Sequence, residues 1–222
     1  MITLYGSMRS RALRPLWVLH EMGAEFDWIP VIQAYRIADP SAVGAPFNTN
    51  AAAFRALNPM GQVPVMTDAA LTLSESMAIC FHIARSLGGD IAPRDATEDA
   101  EALQWAFLGV SAVETPALNI SMAYNLGDPT TAKAQAAILE ARAALQRPFA
   151  RIEDHLSSRD WLIGGRFTLA DILLVECVRF AIDDAPLFLG YPNLARWMTA
   201  ARARPAFTAL WQARNAEPVT YP

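Results

Sequence analysis

The sequence predicts an α/β domain at the N-terminus followed by an all-α domain. As far as about residue 85, short β-rich runs alternate with helical patterns, whereas after Asp95 almost every segment has the apolar spacing of a helix. Between the two parts, residues 87–93 contain two glycines and a proline, which interrupt regular structure. We therefore predict domains at residues 1–85 and 98–222, joined by a linker at residues 86–97.

The N-terminal elements follow the order strand, helix, strand, helix, strand, strand, helix. Strands are predicted at residues 2–5, 26–31, 63–67 and 71–73, and helices at 10–22, 51–57 and 77–86. Gly23 provides a stop for the first helix, and the stretch 33–50, with its prolines, is a long loop. This order fits a thioredoxin-like layer with helices on both faces of the sheet.

The second domain shows helical periodicity and a helix-start signal. Leu145, Phe149, Ile152 and Leu156 form one apolar face, although Pro148 should kink or interrupt that helix. Thr168 and Asp171 have the spacing of a capping box, with Phe167 and Ile172 placed as a hydrophobic staple. We expect this motif to cap a buried helix rather than to carry chemistry.

Composition narrows the classes of function. Apolar residues make up 53% of the 222 residues, enough for real cores, and the net charge of −4 with Lys133 as the single lysine gives no concentrated basic face for nucleic acid. No apolar run reaches about 18 residues, and the N-terminus lacks a charged leader followed by an apolar block. We expect a soluble, cytoplasmic protein with no membrane or nucleic-acid partner.

Metal and nucleotide chemistry receive no support from the sequence. Cys80 and Cys177 lie in apolar helical patterns typical of buried, inert thiols, and no C-x-x-C occurs. His20, His82 and His155 show no ligand spacing, and neither a P-loop nor G-x-G-x-x-G is present. We expect neither a metal nor a nucleotide cofactor.

The most informative motif is N-P-M-G-Q-V-P-V at residues 58–65, followed by Glu75 and Ser76. Pro64 cannot donate to a strand ladder, and a cis Val63–Pro64 bond would turn the Val63 N–H and C=O towards an extended peptide. Glu75 and Ser76 stand where a strand gives way to a helix, whose N-terminus can hold a carboxylate. An ordinary turn and helix cap explain each piece alone; together they predict a receptor for a small peptide.

This combination resembles the glutathione S-transferase family, whose signature is an N-P-x-G-x-V-P turn followed by an E-S pair. The T-x-x-D helix start at Thr168 resembles the one in the family's helical domain, so the resemblance spans both halves. It implies glutathione as co-substrate, contacted by Gln62, Val63, Pro64, Glu75 and Ser76. The glycyl carboxylate has no clear partner, and its candidates are Arg36, Asn48, Asn50 and Arg55.

Three hydroxyl groups could stabilise the glutathione thiolate. Ser10 is the first choice, because it stands four residues before Arg14, the spacing of serine-type family members, at a predicted helix start where it could equally be only an N-cap. Ser7 and Tyr5 are the alternatives, although Tyr5 also suits a packed strand residue. Cysteine-type members would need a cysteine where this chain has Arg11, which argues against a mixed disulfide.

The family also has an apolar pocket for the electrophile, although a core role is the more common one for any single residue of this kind. The lining residues implied here are Met8, Trp105, Leu108, Val113, Met122 and Tyr124. The resemblance implies a homodimeric transferase that conjugates glutathione to a hydrophobic electrophile, a detoxification reaction. The alternatives are a glutathione-dependent lyase, isomerase or peroxidase, or a non-catalytic glutathione-binding module.

Overall fold

The computed structural model describes residues 1–125 and 127–222 of the chain. These residues form two compact units, one made of residues 1–90 together with 205–222, and the other of residues 91–204. The predicted fold class, an α/β domain and an all-α domain, is confirmed. The units differ from the predicted boundaries because the last 18 residues belong to the α/β unit rather than to the helical one.

The α/β unit contains the predicted elements in the predicted order. They are β1 (Ile2–Gly6), α1 (Leu13–Glu21), β2 (Asp27–Pro30), α2 (Ala52–Leu57), β3 (Val65–Asp68), β4 (Leu71–Ser74) and α3 (Ser76–Leu87). The described strands form one sheet of order β2-β1-β3-β4, in which β1 and β2 are parallel and the other pairs are antiparallel.

The first helix starts later than predicted, at Leu13 instead of residue 10. The Ser10 hydroxyl accepts the Ala12 N–H at 3.0 Å, so this serine closes a local turn ahead of the helix. The predicted stop is confirmed, since Gly23 has a φ of 59°, which glycine adopts without steric cost. β3 starts at Val65, directly after Pro64, which has no N–H for the ladder.

The main elements of the second unit are helices. These are α4 (Ala96–Leu108), a π-helical turn (Gly109–Val113), α5 (Glu114–Asn125), α6 (Ala132–Leu156), α7 (Leu169–Val178), α8 (Ala185–Phe188) and α9 (Pro192–Arg202). α6 continues through Pro148, so the predicted interruption does not occur. Its predicted apolar face is buried on both sides of the proline, and this packing offsets the one lost hydrogen bond.

The predicted capping box forms at the start of α7. Asp171 accepts the Thr168 N–H at 2.8 Å, and it also accepts the Leu162 N–H and the Trp197 indole N–H. Burial raises the pKa of the Asp171 carboxyl to about 6 in spite of these bonds. The motif therefore ties three parts of the helical unit together, in agreement with the structural role predicted for it.

The last helix, α10 (Pro205–Ala216), packs on α1 in the α/β unit. The rings of Trp17 and Phe207 lie 4.8 Å apart between centroids. Helical periodicity predicts that this segment is a helix, but it does not say which unit the helix covers. Among the described residues, no helix is long and apolar enough to cross a bilayer, and no group of three or more His, Cys, Asp or Glu side chains could hold a metal ion.

Candidate active site

The strand register brings three of the predicted segments to one end of the sheet. Tyr5 of β1 lies opposite Val65 of β3, and Val65 lies opposite Ser74 of β4. Because these neighbours are antiparallel, the C-terminal ends of β1 and β4 and the N-terminal end of β3 are adjacent. The loop after β1, the Val63–Pro64 bond and the Glu75–Ser76 pair therefore emerge side by side.

The turn before β3 presents the backbone of Val63. The Val63–Pro64 peptide bond is cis, as predicted. The turn is fixed from within, since the Asn58 amide donates to the Gln62 carbonyl at 2.8 Å and Gly61 has a φ of 62°. In the described part of the chain, the Val63 N–H and C=O have no hydrogen-bond partner, so both are available to an extended peptide.

The Glu75–Ser76 pair lies at the N-terminus of α3. Glu75 has a φ of 71°, a left-handed conformation that is uncommon for a residue with a side chain and often marks a functional site. Ser76 is buried, and its hydroxyl oxygen accepts a hydrogen bond of 3.0 Å from Arg14. An oxygen that accepts from a guanidinium can still donate its own proton, so the Ser76 hydroxyl suits a carboxylate.

Arg14 is a site residue whose contact the sequence reasoning missed. It is only 2% exposed, although α1 is otherwise apolar on that side. The spacing between Ser10 and Arg14 predicts no contact for Arg14 itself. A buried arginine needs partners, so its place on an apolar helix face was the available signal for a role in the interior.

Ser10 is half-buried in the turn before α1. Its hydroxyl donates to the Ser7 carbonyl at 2.7 Å and accepts the Ala12 N–H. Donation to a sulfur atom therefore requires the hydroxyl proton to rotate away from the Ser7 carbonyl. The helix-start position predicted for Ser10 is displaced by three residues, while its place in the loop after β1 is as expected.

The alternative hydroxyls have different surroundings. Ser7 is fully buried, donates to the Gln33 side chain at 2.9 Å and accepts from Arg36 at 3.3 Å. Tyr5 packs against a buried cluster that includes Val65 and Phe54. The geometry of Tyr5 agrees with the packed-strand interpretation, and that of Ser7 with a structural network beneath the loop.

A network of buried polar groups under this loop was not foreseen. The Gln33 amide donates to the Arg9 carbonyl at 3.1 Å, and Arg36 donates to the Gln33 side chain at 2.7 Å. Arg36 is 7% exposed and forms an ion pair of 2.8 Å with Glu217, in the segment after α10. The ion pair joins residues far apart in sequence, so no local sequence pattern predicts it.

These contacts bear on the candidates for the glycyl carboxylate. Arg36 is committed to the buried network, and the Asn48 amide donates to the carbonyls of Pro40 and Pro46 inside the 33–50 loop. Asn50 and Arg55 remain exposed, joined by a hydrogen bond of 3.1 Å. This pair lies beside the turn that precedes Val63, because a Cβ added at Gly61 would lie 3.4 Å from the Arg55 guanidinium.

The residues predicted to line an apolar pocket have mixed environments. Trp105 and Val113 are buried, and the Trp105 ring lies 4.7 Å from that of His155. The Tyr124 hydroxyl donates to Asp184 at 3.3 Å, and burial beside that carboxylate raises the tyrosine pKa. The remaining three are more open: Met8 and Leu108 are half-buried, and Met122 is 42% exposed.

Comparison with known proteins agrees with this architecture. Residues 9–86 match the model of the glutathione S-transferase N-terminal domain, and residues 101–205 match that of the C-terminal domain. Glutathione S-transferase 3 of Zea mays is 31% identical over 93% of this chain and 91% of its own length. Glutathione S-transferase F13 of Arabidopsis thaliana is 29% identical over 98% of each chain.

A solved structure shares the fold. The crystal structure of glutathione transferase F7 from Populus trichocarpa superposes with a TM-score of 0.80 at 24% identity, covering 97% of this chain and 100% of its own. The chain belongs to the glutathione S-transferase family.

Proposed function

We propose that the protein is a glutathione transferase that holds bound glutathione as a thiolate, through Ser10, for attack on a hydrophobic electrophile. Membership of the family supports the transferase activity. The observation that carries the detailed proposal is the convergence of the Ser7–Ser10 loop, the Val63 backbone and Ser76 at one end of the sheet.

The peptide part of glutathione is recognised by backbone pairing. The Val63 N–H and C=O lie beside a cis proline and have no partner among the described residues, so the cysteinyl residue can add to them as a short strand. Gln62 is exposed next to Val63 and contributes its side chain to the same ligand. This pairing gives affinity without restricting what the sulfur later attacks.

The γ-glutamyl carboxylate is held at the start of α3. The Ser76 N–H, its hydroxyl and the helix N-terminus all favour a negative group, and Arg14 adds positive charge behind the hydroxyl. The exposed Glu75 carboxylate suits the γ-glutamyl ammonium group. The carboxylate and the ammonium group of the γ-glutamyl residue therefore each meet charge of the opposite sign.

The thiol is activated by a hydroxyl donor. A free cysteine-like thiol has a pKa of about 8.5, so only a few per cent is thiolate at neutral pH. Lowering the pKa by about two units takes about 2.7 kcal/mol of preferential stabilisation of the anion. Ser10 supplies this when its proton turns from the Ser7 carbonyl to the sulfur, aided by the positive N-terminal end of α1.

The helical unit supplies apolar side chains for the electrophile in this proposal, namely Trp105, Leu108, Val113, Met122 and Tyr124. An apolar pocket discriminates by about 1–3 kcal/mol per methylene, so we expect several related electrophiles to react. We further propose a homodimer in the cytoplasm, consistent with the family, and the dimer is tested by sedimentation of the purified protein.

Conjugation of glutathione to chlorodinitrobenzene, measured together with glutathione binding by calorimetry, tests the proposal. We expect both binding and conjugation. We expect Ser10→Ala to lower kcat/KM, measured well below the pKa of the bound thiol, by about 100-fold, the equivalent of 2.7 kcal/mol, with affinity within about threefold. Ser86→Ala, an exposed serine on α3, is the matched control. Glutathione binding without conjugation of any electrophile would support the non-catalytic module instead.

A further inference from the structure

The segment after α10, residues 217–222, is called here the C-terminal tail. It lies in the α/β unit and runs along the start of the 33–50 loop, where the Tyr221 N–H donates to the Arg36 carbonyl at 2.7 Å and the Ala38 N–H donates to the Tyr221 carbonyl at 3.1 Å. Arg36 holds it from the side, donating to the Val219 carbonyl at 2.9 Å and to the Pro218 carbonyl. The tail is thus a fixed part of this unit.

Glu217 directs its side chain at the Ser7–Ser10 loop. Its carboxylate accepts the Met8 N–H at 2.7 Å and the Arg9 N–H at 3.2 Å, and its carbonyl accepts from the Arg9 guanidinium at 2.8 Å. Two successive backbone N–H groups on one carboxylate are charge-assisted bonds, stronger than neutral ones. The loop is therefore held by an anion from the other end of the chain.

One peptide unit links Glu217 to Ser10. The peptide between Ser7 and Met8 donates its N–H to Glu217 and accepts the Ser10 hydroxyl with its C=O, both at 2.7 Å. A peptide is planar and rigid, so fixing its N–H also fixes the direction of its C=O. Glu217 binds the N–H at one edge of this peptide, and the Ser10 hydroxyl binds the C=O at the opposite edge. The Glu217 carboxylate consequently sets the orientation of the Ser10 hydroxyl.

The carboxylate is itself held rigidly. Glu217 is 12% exposed and Arg36 is 7% exposed, and their ion pair spans 2.8 Å. Arg36 is fixed in turn by Gln33, whose amide also donates to the Arg9 carbonyl. A support of this kind, in which a buried arginine holds a largely shielded carboxylate, is what a precisely oriented catalytic group requires.

We propose that Glu217 is a positioning residue for Ser10, acting through the Ser7–Met8 peptide, so that the C-terminal tail takes part in preparing the thiolate. The proposal rests on the role of Ser10 given above. Glu217 does not itself touch glutathione. It keeps Ser10 where a small rotation of the hydroxyl moves its proton from the Ser7 carbonyl to the sulfur.

Glu217→Gln tests this role, since it keeps the shape of the side chain and removes the charge. We expect the pKa of the bound thiol to rise by about one unit, and kcat/KM below that pKa to fall about tenfold, since one pKa unit is a factor of ten in thiolate. Glutathione affinity should stay within about threefold. Glu25→Gln, the same change at an exposed glutamate of the same unit, should alter none of these values.

The decisive comparison uses the double variant Ser10→Ala with Glu217→Gln. If Glu217 acts through Ser10, its loss changes nothing further once the hydroxyl is gone, so the double variant should match Ser10→Ala in thiol pKa and in kcat/KM. Independent, additive losses would overturn the proposal and leave the tail with a structural role only. An unchanged thiol pKa in Glu217→Gln, with a lower melting temperature, would overturn it as well.

A shorter acid covers the case in which Glu217→Gln does not fold. Glu217→Asp keeps the charge beside Arg36 but withdraws the carboxylate by one methylene from the Met8 N–H, so we expect a smaller rise in thiol pKa; no rise would count against the proposal. If the proposed transferase function itself is wrong, the result is different. The unmodified protein would then bind glutathione without a shift in the thiol pKa, or would not bind it.

Discussion

Removing the Ser76 hydroxyl should weaken glutathione binding without unfolding the protein. This hydroxyl accepts from Arg14 and is placed to donate to the γ-glutamyl carboxylate at the N-terminus of α3. Hydrogen bonds to charged groups contribute about 1.5–3 kcal/mol. Ser76→Ala should therefore raise the glutathione Kd by about 13- to 160-fold.

The same substitution removes one acceptor from Arg14, so the free energy of unfolding should also fall, by about 1 kcal/mol. Calorimetric titration gives the affinity, and denaturant unfolding gives the stability. Ser86→Ala, on the exposed end of α3, is the control and should change neither value. An affinity for Ser76→Ala equal to that of the unmodified protein would refute the assignment of α3 to the glutamyl end of the ligand.

Two other predictions concern stability. Arg166 lowers the pKa of Glu98 to about 2 through a side-chain hydrogen bond, so this ion pair contributes stability above pH 4.5 that is lost as the pH falls towards 2. Glu98→Gln should lower the free energy of unfolding at pH 7 by up to about 3 kcal/mol and should flatten its decline in acid. Urea unfolding at several pH values measures both effects. If the free energy of unfolding falls equally steeply with pH in the variant and in the unmodified protein, the pairing is contradicted. Gly61→Ala should cost about 1–2 kcal/mol, because φ is positive and the new Cβ would lie 3.0 Å from the Thr49 carbonyl. Gly44→Ala, with positive φ but open space, should cost less, and equal losses would show that the contact is unimportant.

The order of elements was predictable because each carries a local signal. Gly23 ends α1 at the predicted place, and the turn before Pro64 contains residues that require a special backbone. The capping box at Thr168 formed for the same reason, since its hydrogen bonds join residues three apart. Interactions between residues close in the sequence depend little on the rest of the fold.

What the sequence did not reveal depends on distant contacts. Helix α1 starts at Leu13 rather than at residue 10 because the side chain of Ser10 closes a turn. The apolar pattern of a helix does not show that a side chain competes for a backbone N–H in this way. The contact of Arg14 with Ser76, and that of Glu217 with Arg36, join residues 62 and 181 positions apart. Neither spacing nor periodicity carries information about partners so far along the chain.

The pKa of the thiol in bound glutathione tests the central claim most directly. Titration of the ultraviolet absorbance of the thiolate, in the unmodified protein and in Ser10→Ala, gives both values. We predict a pKa about two units below the free value of about 8.5 in the unmodified protein, and a return most of the way to it in Ser10→Ala. A bound thiol that titrates like free glutathione, or a lowered pKa that persists without the Ser10 hydroxyl, would contradict the account.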